Sequence, residues 1–125
     1  MRAQSSVEAT VSSTFNVLAW EIELAGARCI FLDTIIGELM QVIPADQRGW
    51  LLEGMHAVDL LSQHLTSLSA FAHRMSEDVP AEASAPVARA IADITLGVLA
   101  DRMFTAFGGE EGGEGVTDPG DLDLF

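Results

Sequence analysis

The chain has 125 residues, with six basic and 19 acidic side chains and a formal net charge of −13. This length suits one domain. The acidic balance excludes the basic surface that phosphate backbones and anionic membranes require, so we expect no nucleic-acid partner and no membrane partner. Cys29 is the only cysteine, which excludes an internal disulfide. Together with the absence of an apolar signal-peptide stretch in residues 1–14, it predicts a cytoplasmic location.

The first predicted element is a long helix over residues 11–43. Its apolar and small residues alternate in steps of four and three, the heptad pattern of helices that pack nearly side by side. Further apolar residues beside this seam widen it beyond the needs of a two-stranded coil, and the width favours a helical bundle. Cys29 lies on the seam, where we expect a packed thiol and not a nucleophile. The seam consists of Val11, Phe15, Leu18, Ile22, Ala25, Cys29, Leu32, Ile36, Leu39 and Ile43.

A second long helix is predicted over residues 47–75. Pro44 ends the first helix and Asp46 is a suitable N-cap for the second. A connection this short makes the two helices antiparallel neighbours. The second helix has a wide apolar face that one hairpin cannot cover, so we expect a homodimer in which two hairpins form a four-helix bundle. Its polar face holds His56, Asp59, Gln63, Thr66, Ser67 and His73.

A third helix is predicted after a linker over residues 76–86. Ser84 is its expected cap, and Pro86 lies in its first turn, where a missing N–H costs little. The helix is expected to end near Phe107, before two glycines. The sequence leaves open whether it packs on its own chain or exchanges with the second chain.

The fold class predicted from these elements is all-α, with a helical domain over residues 1–107 and a flexible tail over residues 108–125. The tail is rich in glycine and cannot repay the entropy of becoming ordered. It contains six of the 19 acids and none of the six bases, so residues 1–107 retain a net charge of −7 out of −13.

Catalytic motifs are scarce along the whole sequence. It contains no glycine-rich phosphate loop, no cysteine pair and no His-Glu-x-x-His. His56, Asp59 and Gln63 share one face of the second helix at spacings of three and four. Glutamine is a poor metal ligand and further ligands are lacking, so we predict no metal site. A solvated polar helix face is the simplest interpretation of these three residues.

The residues Asp59-Leu60-Leu61-Ser62-Gln63 resemble the Asp-x-x-x-Gln signature of the CheZ family, which dephosphorylates the chemotaxis response regulator. In that family a long helical hairpin dimerises into a four-helix bundle, and a mid-helix glutamine positions a water against the regulator's aspartyl phosphate. The resemblance implies a role in chemotaxis or two-component signalling and a CheY-like receiver as partner. It implies Asp59 and Gln63 as catalytic residues, and no cofactor beyond the Mg²⁺ that the receiver supplies.

The chemistry implied by this resemblance is simple. An aspartyl phosphate is a reactive acyl phosphate, so a phosphatase need only align a water with phosphorus, and a carboxamide such as Gln63 does this by hydrogen bonding. The family's acid pairs with a conserved lysine of the receiver, a role that falls to Asp59. The same spacing is similar to that of phospho-accepting histidine helices. His56, however, is followed by Ala57 and not by an acid, so the phosphatase is favoured.

The last five residues, 121–125, form a hydrophobic tip on the acidic tail. The CheZ family also ends in an acidic, leucine-containing peptide with a final phenylalanine that tethers the receiver, which implies partner binding by Leu122, Asp123, Leu124 and Phe125. The tip also resembles the Gln-Leu-x-Leu-Phe peptide that docks in the bacterial sliding clamp, with Asp121 in place of glutamine. The alternative function is therefore a non-enzymatic adaptor. A helical protein without any site is a third possibility.

Overall fold

A computed structural model describes residues 8–108 of the chain. Within this range the molecule has two long helices, two short helices and two three-residue strands, so its predicted helical character is confirmed. The residues group into two compact units. One comprises residues 18–77, and the other comprises residues 8–17 and 78–108. None of the helices in residues 8–108 is long and apolar enough to cross a membrane.

The two long helices are α1, Val11–Met40, and α2, Arg48–Asp78. After α1 ends, the next two N–H groups donate to the carbonyls of Glu38 and Leu39 in a turn. The helix does not continue to Pro44, because the residue before a proline is disfavoured in a helix. A 3-10 turn, Ala45–Gln47, then leads into α2. The prediction of Asp46 as the N-cap of α2 is wrong, since Asp46 lies inside this turn.

Small side chains form the contact between α1 and α2 in the unit of residues 18–77. Ala19, Ala72 and Ser69 are 0%, 2% and 4% exposed. The Ser69 hydroxyl donates to the Ala19 carbonyl at 3.2 Å. A Cβ placed on Gly26 would lie 3.9 Å from the Cβ of Leu65. The hairpin is therefore antiparallel, as predicted, and its helices approach closely because short residues line them. Cys29 is also buried, as predicted.

The α1 residues that make these contacts recur every seven positions, at Ala19, Gly26 and Asp33, and their α2 partners are Ser69, Leu65 and Asp59. Seven positions before Ser69 lies Ser62, which is half-buried. We call Ala19, Gly26, Asp33, Ser62 and Ser69 the contact row. Each step along a helix turns the side chain by about 100°. Residues one position before the contact row therefore point to one side of the hairpin, and those one position after it point to the other. Because the helices are antiparallel, the same offset leads to the same side on both.

The side that precedes the contact row is entirely apolar, and we call it the apolar flank. Its leucines are 40–51% exposed in the single chain. The opposite side, the polar flank, contains charged and hydrogen-bonding groups and also the exposed apolar residues Trp20 and Ile30. The apolar flank comprises Leu18, Leu32 and Leu39 of α1 with Leu61 and Leu68 of α2; the polar flank comprises Trp20, Glu23 and Ile30 of α1 with Asp59, Gln63, Thr66 and His73 of α2.

The other unit contains a two-stranded antiparallel sheet that the sequence did not predict. Strand β1, Glu8–Thr10, pairs with β2, Ser84–Pro86, with Ala9 opposite Ala85. Thr10 ends the strand and caps α1, since its Oγ1 accepts the Ser13 N–H at 2.9 Å. The prediction that Ser84 caps the third helix is therefore wrong, because Ser84 belongs to the strand.

The single third helix predicted from the sequence is divided into α3, Ala88–Ala92, and α4, Gly97–Ala106. The break spans residues 93–96, of which Asp93, Ile94 and Thr95 are weak helix formers, and α4 then begins at Gly97. The end of α4 is as predicted: Gly108 has a positive φ of 89°, the left-handed conformation with which glycine ends a helix.

Candidate functional site

Asp59 and Gln63 lie one helical turn apart on α2, and both side chains are exposed. Gln63 follows Ser62 of the contact row by one position, and Asp59 precedes it by three, so both residues lie on the polar flank. The structure thus brings together the two residues that the Asp-x-x-x-Gln pattern singles out. It places them on the side of the hairpin opposite Leu61 and Leu68.

On that flank the Asp59 side chain contacts Asp33 of α1. The hydrogen bond to the Asp59 side chain is the main cause that raises the pKa of Asp33 above its ordinary value, and desolvation and the negative charge of Asp59 add to it. The other oxygen of Asp33, Oδ1, is shielded from solvent and has no hydrogen-bond partner among residues 8–108. A second carboxyl group across the hairpin thus favours the protonated form of Asp33.

Two residues of the polar face predicted for α2 contact α1: Asp59 contacts Asp33, and His73 contacts Glu23. Sequence reasoning missed Asp33 as a site residue. Its signal was present, since Asp33 is the acid that interrupts the most apolar stretch of α1, Cys29 to Ile36.

A second polar cluster surrounds Glu23. His73 Nε2 lies 3.4 Å from Glu23 Oε2, and the Ser69 Oγ lies 3.4 Å from the same oxygen. The cluster is not a nucleophilic triad, because His73 faces Glu23 and not Ser69. The Ser69 hydroxyl is also buried and already donates to the Ala19 carbonyl. Its role is to join α1 to α2.

A groove of about 520 Å³ runs beside this cluster on the polar flank. The groove has a floor of small residues, including Gly26, Ala27 and Ala70, and Ile30 and Thr66 line its sides. Glu23 and His73 border it. It offers an apolar surface with one carboxylate at its edge, and this combination suits a side chain or helix of a partner better than a small polar metabolite.

The remaining sequence-based predictions concern metal ligation and the C-terminal tip. Among residues 8–108, no three His, Cys, Asp or Glu side chains come together as a metal site would require. His56 is exposed on α2. Leu122, Asp123, Leu124 and Phe125 lie outside the described residues, so their partner-binding role stays a prediction.

No protein-family model, curated protein or solved structure matches this chain.

Proposed function

We propose that this protein binds a phosphorylated CheY-like receiver and promotes hydrolysis of its aspartyl phosphate. One observation carries the proposal: Asp59 and Gln63 are exposed one turn apart on the polar flank of a long helical hairpin whose other flank is apolar. The spacing is that of the CheZ-type signature. A helix that presents this pair to solvent has the shape needed to enter the cleft around a receiver's aspartate.

Gln63 would act by orientation and not by charge. Its carboxamide oxygen accepts a hydrogen bond from a water and directs that water in line with phosphorus, opposite the leaving aspartate oxygen. The phosphoryl group passes to the water, and the aspartate leaves as a carboxylate. Asp59 would contact the receiver's lysine, and Mg²⁺ would be held by the receiver. Neither step requires a metal or cofactor bound to this chain.

The proposal includes a dimer formed through the apolar flank. Leu18, Leu32, Leu39, Leu61 and Leu68 are 40–51% exposed in the single chain. With about 200 Å² for a large side chain, they expose roughly 450 Å² of apolar surface. A standard interface buries about 800 Å² per partner, of which roughly 57–65% is apolar. The flank is therefore about the size of a stable self-interface, and pairing through it leaves both polar flanks outward.

The decisive experiment follows phosphate loss from phosphorylated receivers mixed with the dimer. Wild-type protein should accelerate the decay of at least one receiver. Gln63→Ala should reduce the acceleration at least tenfold while circular dichroism stays unchanged. Gln47→Ala, which removes an exposed glutamine from the 3-10 turn, is the matched control and should behave as wild type. Unaltered decay with every receiver, or full acceleration by Gln63→Ala, would refute the catalytic role.

The tip over residues 121–125 supplies a second test. A tether raises the effective concentration of a partner without taking part in its chemistry. Deleting these five residues should therefore raise the receiver concentration at half-maximal rate and leave the maximal rate unchanged. If the full chain, but not the truncated one, binds a sliding clamp and no receiver loses phosphate, the adaptor is the correct function.

A further inference from the structure

The groove on the polar flank has the features of a docking site, and neither Asp59 nor Gln63 lines it. Ile30 lines it with 63% of its surface exposed, although a β-branched aliphatic residue gains nothing from contact with water. Gly26, Ala27 and Ala70 leave its floor low, so the backbone of another helix can come close. The groove therefore presents an apolar anchor point beside a shallow channel.

The charge at the groove points to the chemistry of what binds there. Glu23 is the one carboxylate among its lining residues, and neither arginine nor lysine lines it. The Glu23 side chain is 46% exposed. The contacts that His73 Nε2 and Ser69 Oγ make with Glu23 both go to Oε2 at 3.4 Å, longer than the roughly 2.7–2.9 Å of a strong charge-assisted hydrogen bond. Glu23 can therefore make a shorter contact with a cation on a partner.

We propose that this groove receives a helix of the partner protein that presents a large apolar side chain to Ile30 and a lysine or arginine to Glu23. The groove lies on the same flank as Gln63 and runs along α2 from Ser62, the neighbour of Gln63, to His73, roughly 15 Å at about 1.5 Å per residue. The inference rests on the proposed function in taking the same receiver as the occupant, and it assigns that receiver a second contact that sets affinity and not rate.

A defined probe tests the groove without a receiver. A synthetic alanine-based helical peptide with leucine and arginine four residues apart is titrated into the isotope-labelled full chain and followed by amide chemical shifts. The shifts should saturate and concentrate at Gly26, Ala27, Ile30 and His73. Replacing the peptide's leucine by alanine, or its arginine by glutamate, should abolish saturation.

Two substitutions make the test specific. Glu23→Gln should weaken peptide binding about two- to fivefold, whereas Glu38→Gln, which removes an exposed acid elsewhere on α1, should leave it unchanged. Equal binding by Glu23→Gln and wild type, or shifts centred on Leu61 and Leu68, would overturn the proposal. Gln63→Ala should bind the peptide as wild type does, so a failure of the groove and a failure of the phosphatase give different results.

Discussion

The two flanks of the hairpin lie on opposite sides of the same contact row and differ in the polarity of their residues. One side exposes Leu61 and Leu68, and the other exposes Gln63 and borders Asp59 and His73. An uncharged row of leucines suits permanent self-association, because it stays buried once the dimer forms. A mixed surface with acids and the exposed Trp20 and Ile30 suits a transient partner. A rotation of about 100° per residue thus separates the surface proposed for self-association from the surface proposed for partner binding.

The largest effect is expected from a charge on the apolar flank. Leu68→Glu would place a carboxylate in the self-interface, where an unpaired charge costs about 3 kcal/mol or more. The dimer dissociation constant should therefore rise more than about 100-fold. Sedimentation equilibrium should show monomers where wild type shows dimers.

The matched control for this change is Leu60→Glu. Leu60 is 55% exposed and Leu68 is 51% exposed, but Leu60 lies two positions before the contact row and points away from α1. We expect Leu60→Glu to remain dimeric. Monomeric wild-type protein, or equal loss of mass in both variants, would mean that the apolar flank is not the interface.

An intermediate effect is expected within the contact row that separates the flanks. Ser69 is 4% exposed and lies against Ala19. Ser69→Leu would overfill this close contact and should lower the free energy of unfolding by about 1–3 kcal/mol. Ser67→Leu, at an exposed position two residues earlier, should change it by less than about 0.5 kcal/mol. Urea unfolding of both variants measures the difference. Equal stability would show that the helices do not approach closely at Ser69.

The smallest effect concerns Asp33, whose carboxyl group faces Asp59 of the polar flank. The pKa of Asp33 is raised from the ordinary value of 3.8, so the folded chain holds this proton more tightly than the unfolded chain does. Stability attached to the pair should therefore be present below pH 3.8 and be lost as pH rises through the raised pKa. Asp33→Asn should remove this loss and melt at a higher temperature than wild type at pH 7.

Thermal unfolding across this pH range tests the Asp33 prediction. The advantage of Asp33→Asn should shrink towards the acid end, where the wild-type carboxyl is also neutral. Glu38→Gln removes the same charge from an exposed position on α1 and should show no such trend. Parallel pH profiles for Asp33→Asn and wild type would contradict a raised pKa of Asp33.

Much of the hairpin follows from the sequence, because heptad spacing and Pro44 determine where its helices run. The position of the contact row cannot be predicted from the sequence. Several rows of α1 are apolar or small, and the sequence does not tell which of them meets α2. The seam read from the sequence includes Leu18 and Leu32, which are exposed in the single chain, whereas Ala19 and Gly26 make the contact.

The remaining features depend on contacts between distant parts of the chain. The strands are three residues long, too short for an alternating pattern, and the side chains of Glu8 and Ser84 that meet there are 76 positions apart. The gap between α3 and α4 arises from propensity differences of a few tenths of a kcal/mol per residue, which sequence reasoning cannot resolve. Asp59 and Gln63 could be chosen from their spacing, but Asp33 opposite Asp59 emerges only once the hairpin is folded.

The buried thiol of Cys29 provides a chemical probe of how often the hairpin opens. Cys29 is the only cysteine in the chain and is 9% exposed, so an alkylating reagent reaches it chiefly when α1 and α2 separate. The rate of labelling with excess reagent therefore reports how often the helices part, and its dependence on protein concentration reports how far a second copy slows that opening. The lifetime of the closed hairpin can thus be measured on the native chain without adding any label.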